Sequence, residues 1–261
     1  MKKTLVMKFG GAAVASPTQF SKIAEIIKER KKTYDQIVVV VSAMANTTDS
    51  LIDLAKQVHP SPPRREYDML VSVGERISIS LLAMALALKD VDAISFTGSQ
   101  SGIITTDEHS DAKIIEIRPR RLQPHLDLGK VVIVAGFQGV SLNGEITTLG
   151  RGGSDTSAVA LAVALKSEKV EFFKDVSGIY DKDPKLNPGA SPYNFLTHDE
   201  AYEICSRGAK VLHPRAIDLA RKNDLQLHVI PFETWQTSSA LGTRIGQKNT
   251  ALIPEYETVT A

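Results

Sequence analysis

The stretch Leu5-Val6-Met7-Lys8-Phe9-Gly10-Gly11 predicts a buried strand that ends on two glycines. The apolar positions from Pro17 to Lys32 then follow the spacing of one helix face, with Ser16 as the predicted N-cap. Ile37 to Val41 is an apolar run rich in β-branched side chains, which is typical of a strand buried on both faces. This strand–helix–strand order predicts a parallel sheet with crossover helices.

The same alternation continues along the chain. Further helices are predicted at residues 47–58, 66–88, 155–165, 199–206 and 215–222, and further strands at 93–96, 131–135, 170–173 and 225–230. The fold class is therefore α/β, a three-layer α/β/α sandwich with a mostly parallel central sheet. Ligands bind at the carboxyl ends of strands in such sheets, and the glycine-rich turns of this sequence fall at those ends.

Composition limits the function classes. The 261 residues carry a net charge of +1, which argues against the broad basic field of a nucleic-acid or anionic-membrane binder. The single cysteine, Cys205, cannot form an internal disulfide or a thiolate metal site. The first apolar run stops at Lys8, too early for a secretory signal, and no stretch approaches the roughly 20 apolar residues of a membrane span. We therefore expect a cytoplasmic protein with no protein-held metal.

Lys8 and the pair Gly10-Gly11 form the first candidate phosphate site. Paired glycines let backbone N–H groups approach a phosphate closely, and Lys8 can project toward the same anion. The G-x-x-x-x-G-K-[ST] spacing of a nucleotide P-loop is absent here. A plain turn after a strand is the alternative interpretation of this segment.

Gly150-Arg151-Gly152-Gly153-Ser154-Asp155 is the second candidate anion site. It leads straight into a helix, whose N-terminus offers unpaired N–H donors and the positive end of a dipole. Arg151 adds a planar guanidinium that suits a carboxylate or a phosphate. The alternative is a simple capped helix, with Ser154 or Asp155 as the cap.

Two further segments place polar groups near the predicted sheet edge. The stretch from Asp175 to Pro184 follows a strand, and Tyr180 with Asp175 could hold a nucleoside; a surface loop is the alternative. Gly74 interrupts a helix, which suggests a close backbone approach. Glu75 could bind a substrate ammonium, or pair with an arginine on a solvated face.

Taken in order, these segments resemble the catalytic domain of the aspartate kinases, in the amino acid kinase family. The resemblance covers residues 4–246. Its motifs are Lys8-Phe9-Gly10-Gly11, Val41-Ser42-Ala43-Met44 with Thr48-Asp49, Ser72-Val73-Gly74-Glu75, Ala135-Gly136-Phe137-Gln138-Gly139, Thr147-Thr148-Leu149-Gly150-Arg151-Gly152-Gly153-Ser154-Asp155 and Gly208-Ala209-Lys210-Val211-Leu212-His213-Pro214.

The resemblance implies transfer of the ATP γ-phosphoryl group to the β-carboxylate of L-aspartate. The product would be 4-phospho-L-aspartate, the first intermediate on the route to lysine, threonine, methionine and diaminopimelate. Phosphoryl transfer needs positioning and charge neutralisation more than covalent help, and the attacking carboxylate is already ionised near neutral pH. Mg²⁺ would arrive with ATP, held by phosphate oxygens and water.

The resemblance also implies residue roles. The catalytic residues would be Lys8, which stabilises the moving phosphoryl group, together with Lys210 and Asp155. Arg151 would bind the α-carboxylate of aspartate, while Glu75 and Asp155 would face its ammonium or the nearby lysines. The implied ATP contacts are Lys8, Phe9, Gly10, Gly11, Lys174, Asp175, Tyr180, Lys185 and Lys210, and the implied aspartate contacts are Ser42, Thr48, Glu75, Arg151, Gly152, Gly153, Ser154 and Asp155.

Three features depart from the usual aspartate kinase pattern. Ala12-Ala13 stands where the family usually has Thr-Ser, and Lys174 stands where it usually has threonine, which puts an extra cation near ATP. The sequence ends at residue 261, where the family usually continues into regulatory ACT domains. We expect a catalytic domain over residues 1–246, with its ATP-binding part from about residue 150, a tail over 247–261, no ACT domains and no allosteric control.

Two alternatives remain at this point. The chain could phosphorylate another amino acid or small acid in a specialised pathway, or it could be a non-catalytic ATP-binding protein on the same scaffold. Any homodimer would have to form through the kinase domain, because the family commonly pairs through its regulatory domains.

Overall fold

The computed structural model describes residues 2–236 and 242–246, so the predicted tail lies outside the described residues. A large sheet has eight strands in the order β10-β12-β11-β9-β1-β2-β6-β3, all parallel to their neighbours except β11 and β12. The described strands are β1 Thr4–Phe9, β2 Gln36–Val41, β3 Ala93–Phe96, β4 Ile103–Thr105, β5 Ile114–Ile117, β6 Val131–Ala135, β7 Gln138–Ser141, β8 Ile146–Thr148, β9 Lys169–Lys174, β10 Phe195–Leu196, β11 Gln226–Pro231 and β12 Thr243–Ile245.

Helices cover both faces of the large sheet. The described helices are α1 Pro17–Arg30, α2 Thr47–Val58, α3 Arg64–Val71, α4 Val73–Ala87, α5 Gly98–Ser101, α6 Gln123–Asp127, α7 Gly153–Ala164, α8 His198–Ser206 and α9 Pro214–Lys222. Helices α1 and α4 share one apolar core with alternate side chains of β1 and β2, while α7, α8 and α9 share the other. The three-layer α/β/α sandwich predicted from the sequence is therefore confirmed.

The continuous helix predicted over residues 66–88 is wrong, because two helices meet there at Ser72. The Ser72 carbonyl accepts a hydrogen bond from Gln138 Nε2 of β7 at 2.7 Å, and the Ser72 hydroxyl donates to Met69 O at 3.2 Å. By length and composition alone, the segment 64–87 could cross a membrane, a test that buried helices of soluble proteins also pass. Here α4 packs against α1, β3 and β6.

A second, four-stranded sheet has the order β5-β4-β7-β8 and was not predicted. Its strands are three or four residues long, too short for a periodic pattern to identify them. Strand β8 ends at Thr148, immediately before the glycine-rich turn. This small sheet therefore fixes where that turn begins.

The N-cap predicted at Ser16 is correct in position but not in chemistry. Ser16 has an extended backbone before α1, yet its side chain caps no backbone N–H of the helix. Its hydroxyl instead lies 2.8 Å from the hydroxyl of Thr18. Pro17 at the start of the helix lacks an N–H, which removes one of the groups that would need a cap.

Candidate active site

Four adjacent strands bring their carboxyl ends to one edge of the large sheet. In the order β9-β1-β2-β6 these strands are parallel, so the residues that follow them lie at the same edge. Gly10-Gly11 follows β1, Ser42 follows β2, Gly136 follows β6 and Asp175 follows β9. The backbone N–H of Ser42 donates to Phe9 O at 3.1 Å, which ties two of these ends together.

A buried charge cluster lies at this edge. Lys8 Nζ is 2.6 Å from Asp155 Oδ1, and Lys174 Nζ is 3.3 Å from Asp155 Oδ2. The three side chains are 6%, 7% and 15% exposed for Lys8, Asp155 and Lys174, respectively. A side chain at Gly10 would place its Cβ 3.5 Å from Lys8 Nζ, so this ammonium lies beside the glycine turn.

Burial and charge act in opposite directions on this cluster. Burial alone would raise the pKa of Asp155, but Lys174 and Lys8 outweigh it and hold that pKa far below its ordinary value. Burial lowers the pKa of Lys8 to about 8, against the attraction of Asp155 and with help from the repulsion of Lys174. At neutral pH Asp155 is therefore a carboxylate and Lys8 is mainly an ammonium group.

Gly74 and Glu75, in the first turn of α4, form the second part of the site. A Cβ at Gly74 would lie 2.7 Å from Ala43 Cβ, so the predicted close backbone approach is confirmed. Glu75 is 3% exposed, which makes the solvated-face alternative wrong. Its Oε1 accepts the Ala43 N–H at 3.0 Å, whereas no group in residues 2–236 and 242–246 donates to Oε2. Burial raises the pKa of Glu75 to about 7.

The glycine-rich turn before α7 has a different geometry from the one predicted. Helix α7 begins at Gly153 and its N-cap is Gly152, so Ser154 and Asp155 lie inside the helix and the capping interpretation is wrong. Gly152 has φ +73°, and a Cβ there would lie 2.0 Å from His213 Cγ, which leaves room only for glycine. The carboxylate of Asp155 is therefore free to pair with lysines from the sheet.

Arg151 is the exposed member of this turn. Its neighbours Gly153, Ser154 and Asp155 are buried, while Arg151 faces solvent and makes no ion pair or side-chain hydrogen bond within the described ranges. Thr48 and Ser42 are half-buried, in the first turn of α2 and directly after β2. Ser42, Thr48 and Arg151 thus come from three different segments, and no hydrogen bond between their side chains occurs within residues 2–236 and 242–246.

The residues implied to bind the nucleotide are less closely grouped. Asp175 and Lys185 are exposed, and Tyr180 is half-buried in a bridge with Pro192. Lys210 is exposed, in the loop between α8 and α9. The Phe9 side chain is fully buried and stacks on Phe173 with ring centroids 4.6 Å apart, so only its backbone is available to a ligand. These positions do not form a closed pocket by themselves.

Asp68 is a polar residue that the sequence interpretation missed. Its side chain is fully buried in α3. It accepts hydrogen bonds from His109 Nδ1 at 2.9 Å, from Ser110 N at 3.0 Å and Ser110 Oγ at 3.3 Å, and from Thr148 N at 3.0 Å and Thr148 Oγ1 at 2.6 Å. Because Thr148 ends β8, this carboxylate fixes the strand from which the glycine-rich turn departs.

Arg215 was also missed. Its Nη1 donates to Leu149 O at 2.6 Å and to Asp111 Oδ1 at 3.3 Å, and its Nη2 donates to Ala112 O at 3.1 Å. These contacts join α9 to the residue that precedes Gly150. The only sequence signal for either residue was a charge within a helix, since their partners lie 41 to 104 residues away.

This chain belongs to the amino acid kinase family, whose sequence profile matches residues 3–231. Among its relatives, the aspartokinase of Mycolicibacterium smegmatis is 50% identical over 226 residues, which cover 86% of this chain and 54% of that protein. This chain spans about half the length of the curated relatives it matches.

Solved structures agree with this assignment. Aspartate kinase from Synechocystis has a TM-score of 0.83 and 46% identity, covering 96% of this chain and 41% of that one. E. coli aspartokinase III in complex with aspartate and ADP (R-state) has a TM-score of 0.84 and 28% identity, covering 95% of this chain and 65% of that one. Both neighbours share the arrangement of the large sheet and its covering helices.

Proposed function

We propose that this chain transfers the γ-phosphoryl group of ATP to the β-carboxylate of L-aspartate, forming 4-phospho-L-aspartate and ADP. One observation carries the proposal: a buried Lys8–Asp155–Lys174 cluster lies beside a glycine turn at the carboxyl edge of the sheet. The similarity to aspartokinases supports aspartate as the acceptor.

The reaction needs no general base. A β-carboxylate oxygen of aspartate attacks the γ-phosphorus, the new O–P bond forms, and the bond to the β,γ-bridging oxygen breaks with its electron pair leaving on ADP. The attacking carboxylate is ionised at neutral pH and stays ionised well below it. The protein therefore has to hold two anions together and neutralise the charge on the moving phosphoryl group, which is what buried ammonium groups do.

The residues around Gly74 and the turn before α7 would bind the amino acid. Arg151 is exposed and offers a guanidinium to the α-carboxylate. Glu75 Oε2, which accepts no hydrogen bond within the described ranges, is available to the substrate ammonium. Thr48, in the first turn of α2, would supply a hydroxyl at the same edge. Together these groups recognise both charged ends of an amino acid.

The nucleotide would bind over the carboxyl end of β9. Asp175 and Tyr180 follow this strand and would hold the nucleoside, while Lys185 and Lys210 would contact the phosphates. In the part of the chain that is described, no group of three His, Cys, Asp or Glu side chains could hold a metal ion. The proposed Mg²⁺ ion would arrive on ATP, with phosphate oxygens and water as its ligands.

The test is a kinase assay that traps the acyl phosphate with hydroxylamine and measures ADP in parallel. With MgATP and millimolar L-aspartate we expect aspartyl hydroxamate and an equal amount of ADP. Glutamate and N-acetylglutamate serve as alternative acceptors. No aspartyl hydroxamate under these conditions would contradict the proposal.

A second candidate is the phosphorylation of another amino acid or small acid. It is favoured by Ala12-Ala13 and Lys174, which replace hydroxyl residues of the aspartate kinases beside the phosphate site. Ala13 is buried in the core, while Ala12 is exposed. ADP release with a different acceptor, without aspartyl hydroxamate, would favour this candidate. ATP binding in a calorimeter without turnover of any acceptor would favour a non-catalytic protein.

We also propose the cellular setting. The reaction is the first step from aspartate toward lysine, threonine, methionine and diaminopimelate, in the cytoplasm. Residues 1–246 would form the catalytic unit, with amino-acid binding before about residue 150 and ATP binding after it. Freedom from inhibition by lysine and threonine stays a prediction, and initial rates at millimolar lysine or threonine test it.

Two copies of the kinase domain would associate through α4. Val73, Ile77 and Met84 are exposed apolar side chains that recur on one face of this helix. A homodimer would remove this face from water. Light scattering of the wild type and of Ile77→Glu distinguishes the dimer from a monomer, because a charge on the face would disfavour association.

A further inference from the structure

Lys174 is placed differently from Lys185 and Lys210, the two exposed lysines implied to contact ATP. It ends β9, the strand beside β1, and its Nζ lies 3.4 Å from Asp155 Oδ1 and 3.3 Å from Oδ2. Lys8, at the corresponding end of β1, contacts the same carboxylate. Two ammonium groups from neighbouring strands thus share one carboxylate from the first turn of α7.

We propose that Lys174 is a catalytic residue that neutralises the transferred phosphoryl group jointly with Lys8, whereas the family resemblance names Lys210 as the second catalytic lysine. This inference rests on the proposed kinase function and deepens it. In this chain the second cation of the phosphoryl site would belong to the sheet itself rather than to the loop between α8 and α9.

The charge count supports this role. Lys8 and Lys174 supply two positive charges against the carboxylate of Asp155, in a region where all three side chains are largely removed from water. The fourth charged group near Lys8, Glu75, has a pKa of about 7 and is only partly ionised at neutral pH, so the positive charge is not fully compensated. An uncompensated positive charge is costly when buried, and an incoming phosphate would compensate it. Each ammonium has three donors, so both lysines retain donors for phosphate oxygens after contacting Asp155.

Geometry also separates Lys174 from Lys210. Lys174 is held by Asp155, whose position is fixed within the buried helix α7. Lys210 is exposed and makes no ion pair or hydrogen bond through its side chain in residues 2–236 and 242–246. A preorganised charge stabilises a transition state better than one that must be ordered first, because no reorganisation accompanies the reaction.

The competing explanation is structural. Lys174 would then serve only to neutralise the buried carboxylate of Asp155, and its removal would destabilise the fold without a specific effect on phosphoryl transfer. Lys169 offers a matched control for this explanation. It lies at the opposite end of β9, and its Nζ pairs with the buried carboxylate of Glu171 at 2.9 Å.

The experiment compares Lys174→Thr, Lys174→Met and Lys174→Arg with Lys169→Met in the hydroxamate assay. Threonine is the residue usual in the aspartate kinases, so this variant should fold, and thermal unfolding of all four variants is followed in parallel. We expect kcat to fall about 10²-fold in the Thr and Met variants, which is the usual effect of losing one donor to the transition state. The fall in kcat should be smaller in Lys174→Arg, which keeps the positive charge. Lys169→Met should keep kcat within about threefold while losing thermal stability.

A pH profile tests whether Lys174 and Lys8 act within one charge cluster. The charged groups that face Lys8 are Asp155 from α7, Lys174 from β9 and Glu75 from α4. Because Lys174 lowers the pKa of Lys8, its removal should move the basic limb of kcat/KM for ATP, which reports the free enzyme, to higher pH. Lys169→Met should leave this limb in place.

Three outcomes would overturn the inference. One is a kcat within threefold of wild type in both Lys174→Thr and Lys174→Met, and another is an unmoved basic limb in these variants. The third is a larger loss of kcat in Lys210→Ala than in Lys174→Thr. If the wild type forms no aspartyl hydroxamate, the proposed function fails separately. Calorimetry with MgATP alone then tests whether Lys174 contacts the phosphates. A Kd for MgATP that is tenfold higher in Lys174→Met but unchanged in Lys169→Met supports this contact, and equal Kd values in the two variants refute it.

Discussion

The phosphoryl side and the amino-acid side of the site differ in how far the fold completes them. On the phosphoryl side, Lys8, Asp155 and Lys174 are buried and already in contact. On the amino-acid side, Arg151 faces solvent and Glu75 keeps one carboxylate oxygen without a hydrogen bond in the described part of the chain. In the proposed function, the charges that would act on the reaction are in contact before any ligand binds, while the charges that would recognise the substrate gain their partners from it.

This difference divides the two tasks of the site between two kinds of structure. Sheet ends and a buried helix supply the electrostatic groups, whose value lies in being rigid and poorly solvated. An exposed turn supplies the guanidinium, which has to lose side-chain freedom on binding. Substitutions on the first side should therefore change kcat, and substitutions on the second side should change KM.

The largest effect is expected from Lys8→Met. Removing the ammonium nearest to the glycine turn should lower kcat roughly 10²- to 10³-fold, with a KM for aspartate within threefold of wild type. Steady-state kinetics in the hydroxamate assay measure both constants. A rise in KM with an unchanged kcat would reverse the comparison between the two sides.

The next largest effect tests whether the exposed turn depends on a buried support. Asp68→Asn exchanges a carboxylate that accepts several hydrogen bonds for an amide that turns a donor toward other donors. We expect the free energy of unfolding to fall by about 3 kcal/mol and the KM for aspartate to rise. Urea denaturation measures the first quantity.

A matched control for this variant is Asp92→Asn. Asp92 pairs with Lys130 at 3.1 Å but is largely exposed, so its loss should cost no more than about 1 kcal/mol. If Asp68→Asn were as stable as Asp92→Asn, the buried carboxylate would not be what fixes the turn.

A smaller effect is expected from Arg151→Ala. Loss of one charge-assisted contact with the substrate α-carboxylate should raise the KM for aspartate about 30-fold while kcat stays within a few-fold. Arg151→Lys should recover only part of the affinity, since an ammonium cannot replace the planar pair of donors. Because Arg151 is exposed, its variants should unfold at the wild-type temperature. A fall in kcat with an unchanged KM would contradict this role and would indicate that Arg151 acts on the phosphoryl group instead.

The smallest effect is a pH dependence of substrate binding. Burial raises the pKa of Glu75 to about 7, so the carboxylate that would bind the substrate ammonium becomes protonated as the pH falls through neutrality. The KM for aspartate should therefore rise about tenfold between pH 8 and pH 6. Glu75→Gln should have a high KM that no longer changes over this range. A pH-independent KM in the wild type would contradict the role of Glu75.

Much of the fold followed from local patterns. The long apolar runs and helical periodicities identified six strands of the large sheet and the longer helices that cover it, because burial on both faces leaves a clear signature in the sequence. The short strands β10 and β12 were not predicted. The small sheet was missed because its strands are only three or four residues long. The break at Ser72 was missed because no glycine or proline marks that position in the sequence.

The candidate site, like the fold, was predicted where the signal is local in the sequence and missed where it depends on distant residues. The glycine turns and Lys8 were recognised from motifs, and the structure brings Lys8, Glu75, Asp155 and Lys174 to one edge. The alternative that Ser154 or Asp155 caps α7 was wrong because capping is a local interpretation, whereas the partners of the Asp155 carboxylate come from two distant strands. Asp68 could not be predicted from the sequence for the same reason. Its burial depends on hydrogen-bond donors that lie far away along the chain.

The central position of β1 has a consequence for how the chain is made. Strand β1 lies between β2, which follows soon after it, and β9, which begins at residue 169. The backbone N–H of Val6 donates to Ser167 Oγ, 161 residues further along. During translation the edge of β1 that will pair with β9 therefore stays unpaired until residues 169–174 have been synthesised. Such an unpaired edge is a template for pairing with other chains. Lys8 therefore cannot meet both Asp155 and Lys174 until the ribosome has made at least the first 174 residues.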